Sequence, residues 1–280
     1  MPTSDELHRQ FYEISEAIAP TWEKRRGRVE EVAAPVREWM VSELAPRPGD
    51  TVLELAAGVG DTGFEVARIV GPEGRLICSD FSPTMLDAAR RRGGELGVEN
   101  VDYRVIDAER IDLDDDSVDG VLCRFGYMLM VDRAAALAET RRVLRPGGRV
   151  ALAVFAAAER NPFFSLIAMN LVRRGHIPPP DPEGPGIFAM ASEERTTALL
   201  EEAGFDQVRT EEVPMRFPVA DADDHLGFVA DAAGPLAVAL QGLPEEERQA
   251  IKADLEEALA PFATDGGYEL PSVTLAAVAS

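Results

Sequence analysis

Short apolar runs of strand length alternate along this chain with longer stretches in which apolar residues recur at helical spacing. Seven such runs are predicted to be strands, at residues 52–55, 75–80, 101–107, 118–123, 149–155, 205–217 and 271–279. Runs without strict alternation, as in 75–80, are typical of parallel strands that are buried on both faces. The alternation of strands and helices therefore predicts an α/β protein with a doubly wound, mostly parallel sheet.

The helical stretches are predicted to surround this sheet. Residues 4–44 are expected to form helices, the first capped by Ser4 and the second starting at Pro20. Further helices are predicted at 162–174, 192–203, 223–232 and 245–262. We therefore expect one domain with inserted lid segments, divided into an N-terminal helical cap (1–46), a nucleotide-binding core (47–156), an insertion (157–192) with a proline-rich loop at 177–186, and a C-terminal part (193–280) with a helical lid at 221–263.

A glycine-rich turn directly follows the first predicted strand. Gly58, Gly60 and Gly63 have the spacing of the dinucleotide fingerprint, and a helical stretch follows them. Glycines at this place let the backbone approach a ligand that a Cβ atom would keep away. Taken alone the match is weak, so the charges around the turn have to decide which ligand it favours.

Carboxylates dominate these charges. Glu54 ends the first strand, Asp61 lies in the turn, and residues 51–65 contain no lysine or arginine. The second and third predicted strands end at Asp80 and Asp107. A pyrophosphate brings two negative charges to such a turn, whereas S-adenosylmethionine (SAM) brings a sulfonium, an ammonium and a ribose diol. The pattern favours SAM, and Asp80 lies at the spacing expected of a ribose-binding carboxylate.

Composition narrows the remaining classes. The 280 residues carry a formal net charge of −22, which disfavours nucleic acid and anionic membrane surfaces as partners. No secretory signal or membrane-spanning run is visible, and Cys78 and Cys123 lie inside strand-like runs, so we expect a cytoplasmic protein with two buried thiols. The acidic loop 112–116 contains no histidine and is predicted to be solvated, so no metal is expected.

Four motifs in order carry a family resemblance. They are Glu54-Leu-Ala-Ala-Gly-Val-Gly-Asp61, Asp80-Phe-Ser-Pro-Thr-Met-Leu86, Asp107-Ala108 and Glu139-Thr-Arg-Arg-Val-Leu-Arg-Pro-Gly-Gly148. Together they resemble the class I SAM-dependent methyltransferases, most closely the branch of the ubiquinone/menaquinone biosynthesis C-methyltransferases and their small-molecule relatives. The match covers about residues 10–155 and implies a Rossmann-like, seven-stranded sheet whose last strand is antiparallel.

The resemblance also implies roles for individual residues. The cofactor-binding set is expected to be Tyr12, Trp22, Glu54, Ala56, Gly58, Gly60, Asp80, Phe81, Met85, Asp107, Ala108 and Arg124. Within it, the backbone at Ala56, Gly58 and Gly60 would cradle the methionine part of SAM. Glu54 would lie near the sulfonium and amine, and the backbone at Arg124 near the amino acid end.

The remaining members of the set would contact the nucleoside. Asp80 is expected to hold the ribose hydroxyls, although a purely structural carboxylate that caps Ser82 or Thr84 is the alternative. Asp107 and Ala108 would face adenine. Met85 would lie beside the adenine or pack in the core, and Trp22 or Tyr12 would cover the cofactor.

The methyl acceptor is expected to be a hydrophobic small molecule, aromatic, quinone-like or polyketide-like, because the predicted lid is rich in apolar residues. Weak candidates for a catalytic base or positioning group are His8, His176, His225 and Tyr127, and Arg124 is a further candidate for positioning an acceptor oxygen. Two other classes stay open: an NAD-dependent oxidoreductase of Rossmann type, and a protein that binds SAM or a partner without catalysis. A homodimer is left open as well.

Overall fold

The computed structural model describes residues 3–181 and 183–280. Met1 and Pro2 of the predicted cap and Pro182 of the proline-rich loop lie outside the described residues. The α-helices are α1 (Ser4–Val32), α2 (Ala34–Leu44), α3 (Asp61–Val70), α4 (Pro83–Leu96), α5 (Arg133–Val143), α6 (Pro162–Arg173), α7 (Glu193–Glu202), α8 (Ala222–Ala232), α9 (Pro235–Gln241) and α10 (Glu245–Leu259). The strands are β1 (Thr51–Glu54), β2 (Arg75–Asp80), β3 (Val101–Val105), β4 (Val118–Arg124), β5 (Leu144–Phe155), β6 (Arg209–Val219), β7 (Ala263–Thr264) and β8 (Gly267–Ala279).

The strands form one mixed sheet in the order β3-β2-β1-β4-β5-β8-β6, and the two-residue β7 pairs with β8. Neighbours from β3 to β5 are parallel, whereas β8 runs antiparallel to both β5 and β6. The predicted Rossmann-like, mostly parallel sheet with an antiparallel last strand is thus confirmed. The strand order reverses between β1 and β4, and the carboxyl ends beside this point are where such sheets bind ligands.

The core is built from the apolar sequence runs. Residues such as Leu53, Leu122 and Leu152 are fully buried on the central strands. Cys78 and Cys123 are buried and unpaired, as predicted. Helices flank the sheet, with α3 and α4 adjacent to each other and α5 adjacent to α7. Among the helices of the described residues, none combines the length and apolarity that a membrane span requires.

The N-terminal cap differs from its prediction in two respects. Pro20 does not start a second helix, because α1 continues through it from Ser4 to Val32, and the helix is capped by Thr3 rather than by Ser4. Thr3 and Glu6 form a reciprocal capping box there. Although a proline removes one helical hydrogen bond, contacts hold the helix on both sides of Pro20. Thr21 donates to the carbonyl oxygen of Asp231 at 2.6 Å.

Other elements differ from the predictions as well. Strand β3 ends at Val105, so Asp107 lies two residues beyond it in a loop. Strand β5 already begins at Leu144, five residues before the start of the strand predicted at 149–155. Its pairing with β4 shifts register between Val118 and Gly120. Helix α9 was not predicted, since its seven residues are too few to show a clear helical period.

The lid segments meet above the carboxyl ends of the strands. Helix α1 contacts α4 at one side and α8 and α9 at the other. The ion pairs Arg25–Asp231 at 2.7 Å and Arg28–Asp224 at 2.8 Å join α1 to α8. We propose to keep the predicted division of the chain at residues 46, 156 and 192. The N-terminal cap and the C-terminal lid, although far apart in sequence, both cover one site.

Candidate active site

A cavity of about 290 Å³ lies at the carboxyl ends of β1, β2 and β4, under helix α1. Most residues of the predicted set line it: His8, Trp22, Glu54, Ala56, Gly58, Asp80, Phe81, Met85, Asp107, Ala108 and Arg124. Five predicted residues do not line it: Tyr12, Gly60, Tyr127, His176 and His225. The cavity therefore collects residues from three of the four sequence motifs, and none of residues 139–148 lines it.

The glycine turn forms the floor of the cavity. Ala56, Gly58 and Gly60 all have positive φ angles, of 50°, 55° and 82°. A Cβ atom at Gly60 would come within 2.7 Å of the Phe64 ring, so this glycine shapes the turn although it does not line the cavity. No atom lies within 4 Å of the position that a Cβ would take at Gly58, so the backbone is open to a ligand there.

Asp80 is buried at the end of β2 and is held by the backbone. One carboxylate oxygen accepts the N–H of Gly58 and the other accepts the N–H of Ser82, both at 2.9 Å. Burial raises the pKa of Asp80 to about 6, against the opposing effect of these hydrogen bonds. The predicted capping role toward Ser82 is therefore present. Each oxygen still has a second lone pair, so a ribose diol fits the same carboxylate.

Glu54 is 3% exposed at the end of β1. Its Oε1 atom accepts the N–H of Gly63 at 3.0 Å, while Oε2 is buried and has no hydrogen-bond partner among the described residues. Burial raises the pKa of Glu54 to about 8, and the charge of Arg124 opposes this rise only in part. Glu54 is therefore largely protonated at neutral pH until a cation comes close.

The charges around the turn differ from those that the sequence indicated. Although no basic residue is near Asp61 in sequence, the fold brings Arg26 and Arg92 to it, at 3.4 and 3.1 Å. Arg124 likewise reaches the cavity wall and pairs with Glu30 of α1. The carboxylates at this edge of the sheet are thus partly compensated. The charge pattern alone is weaker support for a cationic ligand than the sequence suggested.

The loop after β3 forms the nucleoside side of the cavity. Asp107 is exposed, and its carboxylate accepts the N–H of Glu109 at 2.9 Å. Glu109 in turn accepts the N–H of Val131 at 2.7 Å and pairs with Nε2 of His8 at 2.7 Å. No role was predicted for Glu109, although it directly follows the Asp107-Ala108 motif.

His8 connects the lid to this loop. Its Nδ1 atom donates to the carbonyl oxygen of Ser4 at 2.9 Å, and its Nε2 atom donates to Glu109. Burial lowers the pKa of His8, but the two hydrogen bonds and the nearby carboxylates outweigh it and raise the pKa above its ordinary value. The carbonyl partner requires a proton on Nδ1, and the Glu109 carboxylate favours a second proton on Nε2. His8 thus joins α1 to this loop, and its role as a base stays a prediction.

The opposite end of the cavity is a chamber of phenylalanine rings, here called the phenylalanine chamber. It consists of Phe125, Phe155, Phe164, Phe217 and Phe228. The rings of Phe125 and Phe155 stack at 4.5 Å, and those of Phe155 and Phe164 lie 4.8 Å apart. Two of these rings follow or end central strands, at the carboxyl edge where ligands bind. That position was a signal in the sequence for Phe125 and Phe155, which the prediction missed.

The other candidates for acceptor chemistry lie away from the cavity. His176 pairs with Glu247 at 2.9 Å. His225 is fully buried, its Nε2 atom bonds the carbonyl oxygen of Phe163, and burial lowers its pKa to about 4. The predictions for both histidines as bases are corrected, because neither reaches the cavity.

Two predicted aromatic residues are also displaced. The hydroxyl of Tyr127 bonds that of Thr140 at 2.6 Å inside the core, so Tyr127 cannot position an acceptor. Tyr12 packs edge-on against Phe81 with ring centroids 5.9 Å apart, outside the cavity. Of the two proposed cofactor covers only Trp22 lines the cavity, because the lining residues of α1 recur at helical spacing on one face and Tyr12 lies off that face.

Known proteins share this sequence and architecture. Residues 35–170 match the profile of the ubiE/COQ5 methyltransferase family. The ubiquinone/menaquinone biosynthesis C-methyltransferase of Teredinibacter turnerae is 32% identical over 173 residues, which cover 58% of this chain and 70% of that protein. The chain belongs to the ubiE/COQ5 methyltransferase family. The predicted resemblance to SAM-dependent methyltransferases is confirmed, and membership of this family sets the oxidoreductase alternative aside.

Other similar proteins include a methyltransferase with a different named substrate and a solved structure. An arsenite methyltransferase of Halobacterium salinarum is 30% identical over 184 residues, which cover 66% of this chain and 42% of that protein. The YcgJ protein of Bacillus subtilis has the same fold, with a TM-score of 0.58 at 21% identity over 87% of this chain and 96% of that one. For the first three curated relatives the matched region spans 42%, 34% and 58% of their own length. The matches show the family of the chain. Because they span only part of these relatives, the reaction of this chain is inferred from the residues of its own site.

Proposed function

We propose that this chain transfers a methyl group from SAM to an oxygen, carbon or nitrogen atom of a hydrophobic small molecule that is aromatic, quinone-like or polyketide-like. The observation that carries the proposal is the continuity of one cavity from the turn at Gly58 and Asp80 to the phenylalanine chamber. A site of this shape can hold a nucleoside cofactor and an apolar acceptor next to each other.

The cofactor end fits SAM in its chemistry. Asp80 offers two carboxylate oxygens with free lone pairs for the ribose hydroxyls. The backbone at Gly58 is open where the methionine part would lie. Asp107 and Ala108 border the nucleoside side, with Met85 beneath and Trp22 on the lid. When bound, SAM supplies a methyl group on a positively charged sulfur, which a nucleophile can displace.

The acceptor end supports an apolar substrate. The phenylalanine rings there present apolar surface to the cavity, so a flat aromatic molecule can pack against them in offset or edge-on geometry. Ile187 and Met215 complete this wall. These side chains would orient the acceptor and exclude water, and alignment of this kind provides much of the rate of a displacement reaction.

The lid residues would keep the two molecules enclosed. His8 and Glu109 hold the start of α1 to the nucleoside loop, and Glu16 accepts hydrogen bonds from Ser82 and Thr84 at the start of α4. These contacts fasten the first half of α1 over the cofactor end of the cavity. A homodimer and the exclusion of nucleic acid as a partner stay predictions.

The test is transfer of a labelled methyl group. The protein is incubated with methyl-labelled SAM and a panel of phenols, reduced quinones, polyketides, polar amines and arsenite, and the products are identified by mass spectrometry. We expect label on one of the three hydrophobic classes. Label only on a polar amine or on arsenite would overturn the acceptor class. Binding of SAM without transfer across the panel would favour the non-catalytic alternative.

A further inference from the structure

His225 is a buried polar residue that the proposed reaction does not use. It is fully buried on α8, and its Nε2 atom lies 2.6 Å from the carbonyl oxygen of Phe163 on α6. Because a carbonyl oxygen only accepts, Nε2 carries the proton and donates it. The other ring nitrogen, Nδ1, is buried and has no hydrogen-bond partner among the described residues, which costs stability. The bond to Phe163 is thus what favours an imidazole over an apolar ring at this position.

The helix that accepts this bond is anchored to the sheet at its first turn. Asn161 directly precedes α6 and is fully buried. Its Nδ2 atom donates to the carbonyl oxygens of Ala156 and Val273, at 3.0 and 3.1 Å, and its Oδ1 atom accepts the N–H of Val273 at 3.1 Å. Val273 belongs to β8, and Ala156 directly follows β5. The carbonyl oxygen of Phe163, in the first turn of α6, is therefore held at a fixed place relative to the sheet.

On the lid side, the same bond determines where α8 lies. Phe228 follows His225 by three residues, so the two side chains are neighbours on one face of α8. Phe228 lines the phenylalanine chamber, whereas His225 does not. The Phe228 ring meets the ring of Phe163 edge-on at 5.3 Å and the ring of Phe217 at 6.3 Å. A shift of α8 against α6 would therefore move a ring that faces the acceptor.

We propose that His225 is a positioning residue for the methyl acceptor: its hydrogen bond to the Phe163 carbonyl oxygen fixes α8 on α6 and so places Phe228 in the acceptor wall. The proposal rests on the proposed function and adds to it a residue that touches neither substrate nor cofactor. The ion pairs between α1 and α8 do not fix the same position. They are partly exposed, and they join α8 to another lid helix rather than to the anchored turn of α6.

The test compares two amides at position 225. The side chain of His225→Gln brings its amide nitrogen near the position of Nε2 and can donate to the carbonyl oxygen. The side chain of His225→Asn is one methylene shorter and does not reach it. His176→Asn removes a histidine that lies outside the cavity and is the matched control.

Two affinities are measured for each variant. The affinity for 2-naphthol, a flat aromatic probe of the acceptor end, is measured by fluorescence titration with S-adenosylhomocysteine at saturation. The affinity for S-adenosylhomocysteine itself is measured by calorimetry. General damage to the fold would lower both affinities, whereas a displaced Phe228 ring would lower only the first.

We expect His225→Asn to weaken 2-naphthol binding about five- to tenfold, since a hydrogen bond between neutral groups contributes about this factor. Its affinity for S-adenosylhomocysteine should stay within about twofold of wild type. His225→Gln should recover most of the loss, and His176→Asn should match wild type. In combination with Phe228→Leu, His225→Asn should add little further loss, because both substitutions act through the same ring.

The inference would be overturned by 2-naphthol binding that is equally strong in His225→Asn and wild type, or by a loss that His225→Gln does not recover. Equal losses for both ligands, or losses that multiply in the combination with Phe228→Leu, would overturn it as well. Failure of the wild-type protein to bind 2-naphthol would instead overturn the aromatic acceptor of the proposed function.

Discussion

Replacing Glu54 by glutamine should change how the stability of the ligand-free protein depends on pH. Glutamine keeps an oxygen that can accept the N–H of Gly63 but removes the titratable group. Burial raises the pKa of Glu54 from 4.5 to about 8 in the folded state. Between these two values the folded chain keeps a proton that the unfolded chain releases.

The sign and size of the effect follow from this difference. Because the folded state binds more protons in the window, the free energy of unfolding decreases as pH rises from about 4.5 to about 8. One pKa unit corresponds to about 1.4 kcal/mol. The wild-type protein should therefore lose about 3 kcal/mol of stability by pH 7 and about 5 kcal/mol by pH 8, relative to a chain without this group.

Urea unfolding at pH values from 5 to 9, in the absence of ligand, measures this slope. The difference in unfolding free energy between Glu54→Gln and wild type should move in favour of the variant by about 1 kcal/mol per pH unit up to pH 8 and then level off. The slope is the readout, because the amide of glutamine can add a cost that does not vary with pH. Asp114→Asn, which removes an exposed carboxylate away from the site, is the matched control and should follow wild type in parallel.

A difference profile for Glu54→Gln that is flat between pH 5 and 8 would refute the reasoning. It would mean that the carboxyl group ionises at the same pH in the folded and unfolded chains. The charge of Arg124 would then compensate the burial of Glu54 fully rather than in part.

Three further predictions test other parts of the site. Asp80→Asn should weaken S-adenosylhomocysteine binding about 10- to 100-fold in calorimetry, and an unchanged affinity would contradict the ribose role. In the wild-type protein this affinity should fall as pH rises through the raised pKa of His8, because the charged contact with Glu109 is present below that pKa and lost above it. His8→Gln should flatten the profile, and a wild-type affinity that does not depend on pH would contradict a role of the His8–Glu109 contact in holding the lid. Phe164→Leu should raise KM for the acceptor several-fold and leave cofactor affinity within about twofold, because ring packing contributes about 1 kcal/mol. The control Phe262→Leu, outside the cavity, should change neither quantity. Weaker cofactor binding with an unchanged KM for the acceptor would place Phe164 at the cofactor.

The sheet was predictable because its information is local. Each buried strand reads as an apolar run, and the glycine turn with its flanking carboxylates marks where the ligand binds. Asp80 could be placed for the same reason, since it ends a strand next to that turn. The ends of helices and strands were less predictable where contacts with distant residues outweigh a local sequence signal. Pro20 reads as a helix start, but the contacts of α1 with α4 and α8 keep the helix continuous through it.

The electrostatics of the site could not be predicted, because they depend on residues distant in sequence. Asp61 is paired with Arg26 and Arg92, from helices before and after it. The same holds for the candidate bases. His225 lies on the predicted lid helix, but the side that α8 turns inward places the ring against Phe163 rather than in the cavity. Sequence spacing gives the face of an isolated helix and does not give the angle at which that face meets its neighbours.

The acceptor end and the cofactor end of the site also differ in how far they are encoded by local sequence. The cofactor end is made by strand ends and the turns directly after them, so a short motif such as Asp80 to Met85 encodes both position and chemistry. The phenylalanine chamber is made by β5, α6, β6 and α8, which are far apart in the chain and meet only in the folded protein. None of its five rings belongs to the glycine turn or to the start of α4. Changes of substrate in such a fold are therefore expected to accumulate at Phe164, Phe217 and Phe228, while the glycine turn and Asp80 are held fixed by the backbone geometry they serve.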